Sequence, residues 1–194
     1  ITLGLLDFEN GEGDCAATGD PRTNDRLTGF IPEGDWDTLS FRVGVPFDRN
    51  HLDPASQDPP LDVPDMFWTW QGGYKFFRAD LQVVGAETPG WNTHLGSAGC
   101  ASTSAQTPPD ACDRPNRAKV SVPFDPFEDD LVVLDLQRLF GGVDLGANAG
   151  GPPGCMVDVA DTAECAPIFE ALGMVYGSGQ CENDCIGQRA FLGE

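Results

Sequence analysis

VPFDRNHLDPASQDPPLDVPDMFWTWQGGYKFFRAD, residues 45–80, decides how the chain is read. Its first half is acidic and proline-rich, so it forms an irregular loop, and that loop carries His51. From Met66 the apolar density rises sharply. Gly72-Gly73 marks a turn, after which Tyr74, Phe76 and, more loosely, Ala79, Leu81 and Val83 recur with the two-residue period of a long, half-buried strand. The densest apolar stretch of the chain therefore reads as β-structure. It also holds two of the four tryptophans, Trp68 and Trp70.

The same period extends outward. Leu39, Phe41, Val43 and Val45 alternate after a Pro-Glu-Gly-Asp turn, and ITLGLLDF at 1–8 reads as a strand. Residues 85–118 read as loop, with His94, Cys100 and Cys112 inside it. KVSVPF (119–124) and DDLVVLDL (129–136) give two more strands, although LVVLDLQRLF could equally end in a helical turn. Residues 141–154, GGVDLGANAGGPPG, have a linker-like composition. One helix is convincing: APIFEALG (166–173), with Pro167 near its first turn and Gly173 as its stop. The expected fold is mainly β: a single antiparallel β-sandwich-like domain over 1–194, with long disulfide-tied loops and one short C-terminal helix. Residues 141–194 form the loop-rich, cysteine-containing part of that domain.

At 194 residues the chain can bury a sizeable core, and its formal net charge is −20. Such acidity disfavours nucleic acid and anionic membrane surfaces as partners, and no apolar run approaches the roughly 20 residues of a membrane span. Seven cysteines in Gly/Pro/Asp-rich segments suit disulfides in an oxidising compartment, periplasmic or extracellular. Local pairing gives Cys100–Cys112, Cys155–Cys165 and Cys181–Cys185. The paired C-x2-C spacing of a zinc ribbon does not occur. The chain opens at Ile1 directly in a strand-like segment, which reads as a mature or partial chain.

Catalytic signatures are missing. There is no G-x-S-x-G and no nucleotide-binding glycine pattern, so a binding protein is expected and not an enzyme. The loop DFENGEGDC offers Asp7, Glu9 and Asp14 as oxygen ligands for calcium, although an ordinary solvated acidic loop would look the same. The chain has two histidines, His51 and His94. Both are read in loops flanking the aromatic block, each preceded closely by an asparagine, and imidazole suits copper, zinc and nickel. Two histidines are sparse for structural zinc, which takes four protein ligands. Copper(I) tolerates two or three, so copper is favoured on coordination grounds. An interaction module of an extracellular assembly, touching other cell-surface proteins, is the alternative.

Three ordered segments carry a family resemblance: GVPFDRNHLDP (44–54), PLDVPDMFWTWQGGYKFFRADL (60–81), and HLGSAGC (94–100) with a following cysteine and PNR. With them the chain resembles the MbnP-like copper proteins of bacterial copper handling, from LLDFENGEGDC to APIFEALG. The resemblance implies a β-rich periplasmic or surface-associated protein and one copper held by His51 and His94. It further implies a tryptophan near the copper converted to kynurenine by a partner di-haem peroxidase of the MauG type. Trp68, in the family's aromatic motif, is the first candidate and Trp91, three residues from His94, the second. Family members begin with a further strand-rich segment, whose absence here would leave Cys15 without a partner within the chain. The GQCENDC tail has no counterpart in the resemblance.

Overall fold

The computed structural model describes residues 3–17, 19, 21–86, 90–148, 150–157 and 162–194. Among the described residues, twelve strands and three α-helices follow one another. They are β1 (Thr38–Arg42), α1 (Phe47–Asn50), β2 (Phe67–Thr69), β3 (Gly73–Gln82), β4 (Gly90–Gly96), β5 (Ala98–Cys100) and β6 (Cys112–Arg114). Then come β7 (Lys119–Pro123), β8 (Val132–Leu134), α2 (Leu136–Phe140), β9 (Gly154–Cys155), α3 (Thr162–Ala171), β10 (Met174–Val175), β11 (Gln180–Cys181) and β12 (Phe191–Gly193).

The architecture is mainly β, as the sequence indicates, but it is divided among small ladders. One four-stranded sheet has the order β2-β3-β4-β9, and the other described strands form four two-stranded ladders. All pairings are antiparallel except β4 with β9, which is parallel. The aromatic stretch forms β2, the Gly72-Gly73 turn and β3, as its period suggests. The phase along β3 changes at an irregularity between Lys75 and Phe77. That extra residue moves Phe77, Ala79 and Leu81 onto the core side, where they pack against the main apolar cluster. A strict two-residue period from Tyr74 would have placed Phe76 there.

Three sequence expectations are corrected. Residues 85–118 are not one loop, because they hold β4, β5 and β6. Trp91, Thr93 and Leu95 are all buried, a strand alternation masked in the sequence by the polar residues between them. The segment read as a strand at 1–8 is irregular from Leu3 and makes a single bridge, Asp7 to Asn24. The helix read over 166–173 begins earlier, at Thr162, and carries Pro167 in its interior.

The core gathers Leu95, Leu139, Phe140, Ile168, Phe169, Leu172 and Met174 around the sheet. Ile168 and Phe169 are essentially unexposed, and each such side chain contributes on the order of 1.5–3 kcal/mol. The C-terminal part is thus built into the domain core. Disulfides join Cys100–Cys112 across β5 and β6, Cys155–Cys165 from β9 to α3, and Cys181–Cys185 within the tail. Cys15 is free and exposed.

Candidate metal centre

His51 follows α1 directly, where the chain leaves the helix. The preceding Asn50 is fully buried and satisfied on all sides. Its Oδ1 accepts from the Tyr74 amide (3.0 Å), and its Nδ2 reaches the Ser97 hydroxyl (3.3 Å) and His51 Nε2 (3.1 Å). A backbone N–H can only donate, so Tyr74 fixes which end of the Asn50 amide is oxygen. Asn50 Nδ2 is then the donor toward His51 Nε2, which carries a lone pair. The other ring nitrogen, Nδ1–H, donates to the Trp70 carbonyl at 2.8 Å. Burial lowers the His51 pKa, against a smaller raising effect of the Trp70 bond, and favours the neutral ring. Gly73, at φ +78, makes this packing possible. A Cβ there would lie 2.5 Å from Asn50 Nδ2 and 2.7 Å from the Asn50 carbonyl oxygen.

His94 lies on β4, opposite Arg78 of β3, on the strand face turned away from Trp91, Thr93 and Leu95. Its Nε2–H donates to Asp80 Oδ1 at 2.6 Å, while Arg78 Nε and Nη2 hold Asp80 Oδ2, each at 2.7 Å. Burial lowers the His94 pKa and outweighs the raising effect of the Asp80 carboxylate. Asp80 is itself pushed up by desolvation, but the bonds from His94 and Arg78 prevail and hold it below its ordinary value. The remaining nitrogen, His94 Nδ1, is buried and meets no hydrogen-bond partner.

Each histidine therefore has one nitrogen tied by its proton to an oxygen and the other turned inward as a lone pair. This is how proteins prepare imidazole for a metal: a carbonyl or carboxylate fixes the tautomer and the ring. The two rings have separate partners, His51 with Trp70, Asn50 and Cys112, and His94 with Asp80. Among the described residues, one group brings three metal-ligating atoms within 4.8 Å of one another: His51, Cys100 and Cys112.

The family model for MbnP matches residues 2–157. The chain belongs to the MbnP family. Among solved structures, MbnP from Methylosinus trichosporium is 31% identical and superposes with a TM-score of 0.64, over 82% of this chain and 63% of that one. The chain thus spans less than two thirds of that relative. No curated protein matches. The stretch matched to the MbnP family contains His51, Asp80, His94 and the Cys100–Cys112 bond, whereas Cys165, Cys181 and Cys185 lie beyond it.

Within this MbnP-family domain the tryptophans separate by position. Trp68 lies over Gly96, where a Cβ would come within 2.4 Å of its ring. Positions 94 and 96 are two apart on β4, so Trp68 borders the strand face that carries His94. Trp91 is buried on the opposite face, and its Nε1–H donates to Thr93 Oγ1 at 3.1 Å. Trp70 offers His51 its carbonyl, and Trp36 is bound to the Pro32 carbonyl. Of the calcium candidates, Asp7 and Glu9 accept backbone N–H groups of their own loop, from Glu9 and Gly11 respectively. The side chain of Asp14 lies outside the described atoms.

Asn50, Asp80 and the place of the Cys100–Cys112 bond beside His51 are what sequence reasoning missed, although the bond itself was expected. Asn50 stood out only as the residue before a histidine. Asp80 becomes visible once β3 and β4 are in register, which no local pattern specifies.

Proposed function

We propose that this MbnP-family chain is an extracytoplasmic copper-binding protein, in which His51 and His94 supply imidazole nitrogen to one ion and no catalysis is performed. The observation that carries the reading is His94 Nδ1, a buried nitrogen without a partner on a ring whose other nitrogen is held by a carboxylate. An unsatisfied buried acceptor costs about 1–3 kcal/mol, and a cation is one partner that would use it. Both histidine pKa values are lowered by burial, so little proton competition opposes a metal at neutral pH. For His51 Nε2 to bind, it must exchange the Asn50 amide for the ion. The three disulfides suit an oxidising compartment, and no described helix is long and apolar enough to cross a membrane.

Conversion of Trp68 to kynurenine by a di-haem peroxidase partner of the MauG type belongs to the same proposal. Trp68 borders the His94 face and Trp91 does not, which supports the order Trp68 before Trp91. Kynurenine carries an aryl amine and a ketone in place of an indole that can only donate, and so adds a ligand to a two-histidine set.

A second reading, an interaction module that touches other cell-surface proteins with or without calcium in the Asp7–Asp14 loop, draws on the N-terminal segment. There Phe8, Leu27, Phe30 and Ile31 are exposed. Elemental analysis of protein from its native host, with copper(I) titration of His51→Ala and His94→Ala, separates the two. Near-stoichiometric copper that depends on both histidines supports the first reading. Calcium alone, or copper uptake unaffected by either substitution, refutes it.

A further inference from the structure

The copper reading makes no use of the disulfide beside His51. Cys112 Sγ lies 3.5 Å from His51 Nε2, the nitrogen that carries the lone pair. Cys100 and Cys112 face each other directly across the β5–β6 ladder, with Cα atoms 4.0 Å apart. That pairing is set by backbone as well as sulfur, since Ala98 and Arg114 form the adjacent pair. If the S–S bond were opened, two thiols would remain opposite one another, as cross-strand neighbours do, and both would stay beside the imidazole. A cleft of about 550 Å³, lined by Thr69, Gln71, Ser97, Ala98, Cys100 and Asp113, gives solvent access to the Cys100 side.

We propose that the Cys100–Cys112 bond is a redox gate over a second metal site, in which two thiolates and His51 Nε2 hold one soft, filled-shell cation such as Cd2+, Zn2+ or Cu+. While the disulfide stands, its sulfurs are poor ligands, because the thiolate is the metal-binding form. A dithiol reductant breaks the S–S bond, delivers two electrons and two protons to give two thiols, and becomes a disulfide itself. Binding of the cation then displaces the two thiol protons. Exchange with a small-molecule disulfide reverses the step: the two protein thiolates attack it in turn, the Cys100–Cys112 bond re-forms, two small-molecule thiolates leave with the two electrons, and the metal is released. Soft sulfur with one imidazole selects these cations over Mg2+ or Ca2+. The site shares His51 with the copper reading but does not involve His94, so the two readings fail separately.

The test uses the full chain, reduced with a phosphine under anaerobic conditions, freed of reductant and titrated with Cd2+. The reduced chain should take up one Cd2+ more than the oxidised chain and show a thiolate-to-metal charge-transfer band. Cys100 and Cys112 should become protected from iodoacetamide, as mapped on peptides. Cys100→Ser with Cys112→Ser, which leaves the other five cysteines in place, should abolish that uptake. His51→Ala should weaken it by more than about tenfold, the lower end of what losing even an outer-shell partner costs. His94→Ala should leave it unchanged. The proposal is overturned if Cys100 and Cys112 alkylate equally fast with and without Cd2+, if protection falls on Cys181 and Cys185 alone, or if His94→Ala abolishes the uptake. The protection mapping uses the wild-type chain and decides the question whether or not the double variant folds.

Discussion

Replacing Asp80 by Ala tests the copper reading through a residue that would touch no metal. In the structure Asp80 Oδ1 takes the Nε2 proton of His94 at 2.6 Å and so leaves Nδ1 as the lone-pair nitrogen. Without that acceptor the ring loses both its tautomer and its orientation. Losing such an outer-shell partner costs 10- to 100-fold in metal affinity, or about 1.4–2.8 kcal/mol. Stability should fall modestly. Asp80 and Arg78 are both more than a third exposed, and such pairs contribute about 0–1 kcal/mol, but the largely buried His94 Nε2–H loses its acceptor, at about 1–3 kcal/mol; each kcal/mol is roughly 2–4 °C in Tm for a chain of this size. A second readout separates positioning from mere structure. The carboxylate raises the His94 pKa against a larger effect of burial, so its removal should lower that pKa further. Competition with a copper(I) chelator measures the affinity, and imidazole NMR titration measures the pKa. Unchanged affinity together with an unmoved or raised His94 pKa would refute the reasoning.

Other consequences are open to measurement. Asn50→Ala strips partners from the buried Tyr74 amide, Ser97 and His51, and should cost about 2–4 kcal/mol in urea denaturation. Stability of the metal-free chain should fall with acid in two windows. Both histidine pKa values are depressed below 6.5, so the unfolded chain binds protons first, and this contribution, complete above about pH 6.5, is lost as pH falls through the folded values. The Asp80 pKa is also depressed, so its contribution is present above about pH 3.9 and is lost as pH falls below that through the folded value. Denaturation midpoints of the wild type and His94→Ala should differ in the upper window, where the His94 contribution is gone, and in the lower one, where Asp80 has lost the His94 bond that helps hold its pKa down. The peptide that carries Trp68 should be heavier by about 4 Da in native material than in unmodified recombinant chain. Four unmodified tryptophans in protein with full copper occupancy would show that kynurenine is not needed here.

What was readable in the sequence is what depends on near neighbours. The hairpin of β2 and β3 follows from a glycine turn between aromatic runs, and the closely spaced cysteines lie within loop-closing reach of each other. What was not readable depends on register and on phase. His94 reads as a loop residue because glycines and polar residues interrupt the alternation of Trp91, Thr93 and Leu95. Its place beside Asp80 exists only because β4 pairs with β3 at Arg78. One irregular residue between Lys75 and Phe77 sets which of two adjacent phenylalanines enters the core, and both choices look alike in sequence. Asn50 is harder still, since its three partners are the residue after α1, one on β3 and one between β4 and β5.

The C-terminal part shows how such distant constraints hold the candidate centre in place. The family match ends at residue 157, yet Cys155 inside it is bonded to Cys165 outside it. Just after that bond, α3 delivers Ile168 and Phe169, and the next residue Leu172, to the cluster that receives Leu95 of β4 and, from β3, Phe77, Ala79 and Leu81. β9 pairs with β4 at Asn92 and Thr93, immediately before His94. Strand β4 is therefore fixed from three sides: by β3 through register, by β9 through its parallel edge, and from below by α3. That support fixes where His94 stands on the strand, and Asp80 sets the direction of its ring. The residues beyond the family match act on the centre through the strand that carries His94.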